Sequence, residues 1–161
     1  MRLNHLRPIL KTLLHEAWGD GGYDLVIYLV AAPEMTCLNE AYLQHQGSTD
    51  VVTFDYTERA GQGTPPSESN VPAWDDAGRQ PARPALLHGE IFICLDEAAC
   101  QARRFRTTWQ SELVRYMVHG VLHLLGYNDH HRQERRRMKI AEDALLRRLA
   151  RQFAFNDLSP S

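Results

Sequence analysis

Residues 119–131 read His119-Gly-Val-Leu-His123-Leu-Leu-Gly126-Tyr-Asn-Asp129-His130-His131, and the fold is read outward from them. Two histidines at i and i+4 lie one turn apart on the same side of a helix. Both imidazoles can therefore reach one metal ion at about 2.0–2.1 Å. Gly126, three residues after the second histidine, is placed to end the helix in a left-handed conformation and turn the chain back. A third ligand from the residues just beyond closes a facial triad and leaves a fourth position for water, as catalytic and not structural sites do. An HxxxH pair alone is weak, because histidines satisfied within a core are common. The glycine at the right offset and the Asp-His-His cluster behind it make metal binding the stronger reading.

The spacing His-x-x-x-His-x-x-Gly-x-x-His/Asp is the metzincin ligand pattern in outline, and its last position here is Asp129. One residue separates the motif from the HExxH proteases. Their general base is the glutamate after the first histidine, and this chain has Gly120 there, with no acidic neighbour in the motif to replace it.

Around the motif, Leu113, Tyr116, Met117, Val118, Val121, Leu122 and Leu125 form a wide apolar stripe, so a central buried helix is expected over 108–125. Thr107-x-x-Gln110 fits a capping box at its start. A last helix is expected over 132–154, with Met138, Ile140, Ala141, Ala144, Leu145, Leu149 and Phe153 inward. Arg132, Arg135, Arg136, Arg137, Arg147, Arg148 and Arg151 face outward, and the tail NDLSPS is expected to fray. Upstream, 23–30, 51–56 and 90–95 are rich in β-branched and aromatic residues and read as strands. Asp96 can cap a helix over 97–105, Thr36 one over 36–45, and Pro8 can open one over 7–18 that buries Ile9, Leu13 and Trp18. The stretch 57–85, rich in Gly, Pro, Ser and charge, has no apolar period and reads as a long surface insertion between two strands.

At 161 residues the chain has the size of one domain, 1–161, with one core. Its 43% hydrophobic and 24% charged residues are those of a globular protein and exclude a disordered or fibrous one. No apolar run is long enough to span a bilayer, and the first 20 residues read as an amphipathic helix and not a signal peptide. Cys37, Cys94 and Cys100 form no CxxC pair, which argues for a reducing compartment and for buried, inert thiols. The net charge of −2 hides a split. Residues 1–100 carry 6 Lys/Arg against 14 Asp/Glu, and residues 101–161 carry 12 against 6. A solvated arginine face is the plain reading of that basic third; a polyanion-facing side is the functional one.

The segment His119–Tyr127, HGVLHLLGY, resembles the signature HGxLHLxGY of the YbeY family of bacterial endoribonucleases, also called ribosomal RNA maturation factors, at every fixed position. Gly89-Glu90-Ile91-Phe92-Ile93 is similar to the family's GDIxIS strand, with Glu90 for Asp. Asn39-x-x-Tyr42 followed by Thr49-Asp50-Val51-Val52-Thr53-Phe54 is similar to its NxxYRxxDxPTDVLSF segment. The likeness runs from near residue 23 to near residue 150, apart from the insertion.

This resemblance implies a single zincin-like α/β (α+β) domain, a small mixed sheet packed with helices around a central metal-binding helix. It implies a cytoplasmic, zinc-dependent, single-strand-specific endoribonuclease, one Zn2+ per chain, acting on ribosomal RNA of the small subunit in 3′-end maturation and ribosome quality control. The metal ligands would be His119, His123 and Asp129. The family's third histidine lies ten residues after the first, and the gapless count reaches Asp129; a one-residue insertion would instead make His130 the ligand and Asp129 its orienting partner. The family's arginine after Tyr is Leu43 here, so the role given to that arginine does not carry over, and His45 is the nearby basic residue. No catalytic side chain beyond the ligands is assigned. Two other readings stay open: a zincin-type metallopeptidase, against which Gly120 counts, and a non-catalytic ribosome-biogenesis factor with a structural metal, which Leu43 favours.

Overall fold

The computed structural model describes residues 3–44, 46–57 and 86–158. The 57–85 insertion, apart from Thr57, and His45 lie outside the described residues. The elements are α1 (Leu3–Trp18), β1 (Gly22–Val30), α2 (Ala32–Leu38), β2 (Val51–Asp55), β3 (Leu86–Cys94), α3 (Leu95–Phe105), α4 (Trp109–Leu124) and α5 (Arg132–Gln152). A π-type turn, Asn39–Leu43, extends α2, and a 3₁₀ turn, Phe155–Leu158, follows α5. The expected mixed α/β architecture is what forms. The sheet has the order β1-β3-β2, with β1 parallel and β2 antiparallel to β3.

Alternation along β3 sets the layers. Leu87, Ile91 and Ile93 are fully buried on one face, against α4. Glu90 and Phe92 point to the other. α4 is the central helix, with Leu113, Val114, Val118 and Val121 at 0% exposure. α1 adds Ile9, Leu13 and Trp18 to the same core, and α5 adds Met138, Leu145 and Leu149. Two glycines let α4 lie close to the sheet. A Cβ on Gly120 would stand 2.7 Å from Ile91 Cγ2, and one on Gly89 would stand 2.9 Å from Leu124 Cδ2.

Several local expectations are corrected. α1 begins at Leu3, which puts Pro8 inside the helix instead of at its start. α2 begins at Ala32 and not at Thr36, whose hydroxyl donates back to the Ala32 carbonyl at 2.9 Å. Asp96 does not cap its own helix. Its Oδ2 accepts from the Ala32 N–H at 2.7 Å, because the parallel register that pairs Val30 with Cys94 sets the starts of α2 and α3 side by side. The cap of α4 is Thr108, one residue later than Thr107; Thr108 Oγ1 accepts from the Ser111 N–H at 3.2 Å. Thr107 instead donates to the buried Glu112 at 2.6 Å.

On α5, Ile140 is 61% exposed. Two residues from both Met138 and Glu142, it stands roughly 200° round the helix from each. Cys37 and Cys100 are exposed and Cys94 alone is buried. Of the tail expected to fray, Leu158 is 1% exposed and joins the main core, and 159–161 lie outside the described residues. No helix among the described residues is long and apolar enough to cross a membrane.

Candidate metal centre

His119 and His123 project from one side of α4, as the i, i+4 spacing requires. The helix ends as expected. Gly126 takes φ 96°, and the Tyr127 N–H returns to the Leu122 carbonyl at 3.0 Å, the wider bond of a Schellman motif. The Asn128 side-chain oxygen accepts from the N–H groups of Asp129 (2.7 Å) and His130 (3.2 Å) and holds the turn that sends Asp129 back to the helix. One carboxylate oxygen of Asp129 then lies 3.9 Å from the Nε2 atoms of both His119 and His123. One ligand atom from each of these three residues falls within 4.8 Å of the other two. His130 is exposed and outside this group.

The hydrogen bonds decide which ring nitrogens are available. His119 Nδ1 sits 3.1 Å from Glu142 Oε2, and His123 Nδ1 sits 3.1 Å from the Tyr127 carbonyl oxygen. A carboxylate and a carbonyl only accept, so both Nδ1 atoms carry hydrogen and both Nε2 atoms turn lone pairs inward. These Nε2 atoms are 3.1 Å apart. Two lone pairs at that separation need a positive charge between them, either a proton on one ring or a metal ion. Two nitrogens on one tetrahedral zinc at about 2.05 Å stand about 3.3 Å apart, so the donor set fits such an ion.

Charge around the pair has the same sense. Burial pushes both imidazoles towards neutrality. At His119 this is outweighed by the hydrogen bond and charge of Glu142, then by Asp50 and Asp129, and its pKa is raised. At His123 burial and the neighbouring His119 prevail over Asp129, and its pKa is lowered. Of the two rings, His119 is thus the one that holds a proton more readily.

Glu142 escaped the reading of the sequence. It is 6% exposed on α5. Besides His119, it accepts from Arg115 Nη1 at 2.9 Å and Lys139 Nζ at 3.2 Å. Burial alone would raise its pKa, but His119, Lys139 and Arg115 together lower it to about 2. The available signal was an acidic residue at a position spaced for the inner face, between Met138 and Leu145. Asp50, at the start of β2, was quoted only as part of a resemblance, and its charge reaches both His119 and Tyr116. Tyr116 lies on the histidine side of α4, at i−3 from His119. Its hydroxyl is buried without a hydrogen-bond partner among the described residues.

Other positions drawn from the sequence do not join this group. Glu90 accepts from the hydroxyls of Tyr28 and Tyr56, both at 3.2 Å, on the far face of the sheet. Leu43 is packed against the cluster of Met35, Val52 and Cys94 and brings no charge. Gly120 lies under Ile91, so a glutamate base of the HExxH kind has no room there.

The chain resembles known proteins along most of its length. A protein named "Endoribonuclease YbeY" from Chlorobium luteolum is 40% identical over 114 residues, covering 71% of this chain and 65% of that relative, just under two thirds of its length. Another of the same name from Chlorobium phaeovibrioides is 35% identical over 142 residues, 88% of this chain and 78% of that one. The solution structure of a Thermotoga maritima protein shares the fold, with a TM-score of 0.57 and 23% identity over 99% of this chain and 90% of that one. With the model of the family described as Endoribonuclease YbeY matching residues 3–150, the chain belongs to that family.

Proposed function

We propose that this chain is a metal-dependent endoribonuclease that cuts single-stranded RNA in the maturation of small-subunit ribosomal RNA. Its metal would be Zn2+, one ion per chain, held by His119, His123 and Asp129. The observation that carries the reading is the pair of inward-facing Nε2 lone pairs 3.1 Å apart with a carboxylate oxygen 3.9 Å from each. A bound divalent ion supplies polarisation of a phosphoryl oxygen and a lowered pKa for coordinated water. The residues of the chain do the positioning. Glu142 fixes the tautomer of His119, the Tyr127 carbonyl fixes that of His123, and the turn at Asn128 aims Asp129.

The bonds broken are phosphodiesters and not peptides. A metallopeptidase of the HExxH type needs a glutamate where Gly120 is pressed against the sheet. The arginines of α5 offer sequence-independent attraction to phosphate. Three unpaired cysteines fit a cytoplasmic setting.

The test is cleavage of single-stranded RNA by the purified chain, with and without chelator, alongside element analysis. One zinc per chain and chelator-sensitive cutting are expected. Full cleavage by a protein stripped of metal would overturn the reading.

A further inference from the structure

A second surface lies away from the histidines, at the junction of α3 and α4. α3 ends at Phe105, and Arg106 takes a left-handed conformation, φ 56°, before α4 begins at Trp109. Arg103, Arg104, Phe105 and Arg106 are all exposed, Phe105 at 61%. The spacing from the buried Ala98 and Ala102 would carry the inner stripe of α3 through Phe105, yet the ring stands in solvent. The Arg104 guanidinium carbon lies 5.4 Å from the ring centroid. None of the three arginines pairs with a carboxylate among the described residues. Arg106 also occupies a backbone conformation that favours glycine, on a turn where its side chain is exposed.

A single exposed aromatic is ordinary. An exposed ring with one guanidinium 5.4 Å from its centroid and two more exposed arginines beside it in the chain, none of them paired with a carboxylate among the described residues, is not, because it matches the two chemistries of single-stranded nucleic acid. Bases stack on aromatic rings, and planar guanidinium groups bind phosphate oxygens two at a time. A lone ring offers little apolar area to a bilayer, which sets a membrane surface second. We propose that this tip is a contact for single-stranded RNA, in which an unpaired base stacks on Phe105 while Arg103, Arg104 and Arg106 take the adjoining phosphates. The proposal rests on the ribonuclease reading above and names a surface that the metal centre does not include. Along α4, Thr108 and His119 are eleven residues apart, about 16 Å of helix axis.

The experiment measures binding of a short 2′-O-methyl single-stranded oligonucleotide, which resists cleavage, by fluorescence anisotropy with the zinc-loaded chain. Phe105→Ala is expected to weaken binding about 5- to 150-fold, the alanine-scan range for one stacked base. Phe105→Trp should restore it, and binding to a duplex of the same sequence should not change. Replacing the three arginines with glutamine should lower the slope of log K against log salt by about 2. Matching melting temperatures would show that these exposed substitutions leave the fold intact.

Unaltered binding by Phe105→Ala overturns the proposal, as does an equal loss on duplex and single strand. So does an effect of Phe105→Ala on phosphatidylserine vesicles and not on RNA. If the unmodified chain binds and cleaves RNA while Phe105→Ala behaves identically, this proposal alone fails. If the unmodified chain neither binds nor cleaves RNA, the ribonuclease reading fails with it.

Discussion

Gly120→Ala adds one methyl group between the metal helix and the sheet, and the structure sets two opposed effects on stability. Alanine is the better helix former by about 1 kcal/mol, so at an exposed site the substitution would stabilise α4. Here the new Cβ meets Ile91 Cγ2 at 2.7 Å, Ile91 Cδ1 at 3.2 Å and Thr53 Cγ2 at 3.4 Å. Ile91 Cγ2 branches directly from Cβ, so it cannot swing aside without leaving its rotamer. Ile91 is fully buried, so the relief must come from moving α4 away from β3. Overpacking of this kind costs about 1–3 kcal/mol, and a stiff branch in a closed core belongs in the upper part of that range. The net expectation is a loss of about 1–2 kcal/mol, seen as a fall in Tm of roughly 2–8 °C. Urea unfolding of the metal-free chain measures it, with Ile91→Ala and the double variant completing a cycle. Because Ile91→Ala removes the atoms that clash, the double variant should be more stable than the sum of the two losses implies, by about 1 kcal/mol or more. A Gly120→Ala chain at least as stable as the parent would refute the packing account of why a glycine stands after the first histidine.

Three further outcomes follow from the same geometry. Glu142→Gln keeps the shape of the side chain and removes the carboxylate that orients His119, so zinc affinity in a competitive chelator titration should fall about 10- to 100-fold; equal affinity would deny Glu142 that part. Asp129→Ala should abolish tight one-to-one zinc binding, whereas His130→Ala should leave it within a few-fold, and the reverse order would make His130 the ligand. Asp96→Ala removes the acceptor of the Ala32 N–H at 2.7 Å; a loss of about 0.5–2 kcal/mol is expected from thermal melts, in the range of other capping side chains, and no change would mean that water replaces the carboxylate there.

Much of the site was legible because its parts are close in the chain. His119, His123, Gly126 and Asp129 are tied by helix periodicity and one turn, and the gapless count that reached Asp129 is the residue the structure brings to the two rings. The alternative at His130 differs by a single position; that residue is exposed and outside the group. Glu142 was not legible, since it meets His119 from 23 residues away on another helix. The exposure of Phe105 was not legible either: its spacing matches the buried Ala98 and Ala102, and periodicity says nothing of whether a neighbour covers that end of α3.

The same division holds for the whole molecule. The order of helices and strands and the central place of α4 were determined by the sequence itself, because apolar spacing and turn residues act over a few positions. Which strands lie side by side was decided only by the tertiary structure. The parallel pairing of Val30 with Cys94 makes Asp96 the cap of α2, and the closeness of α4 to β3 requires Gly120 and Gly89. Contacts of this kind depend on the registry between elements distant in the chain, and no local pattern carries that registry.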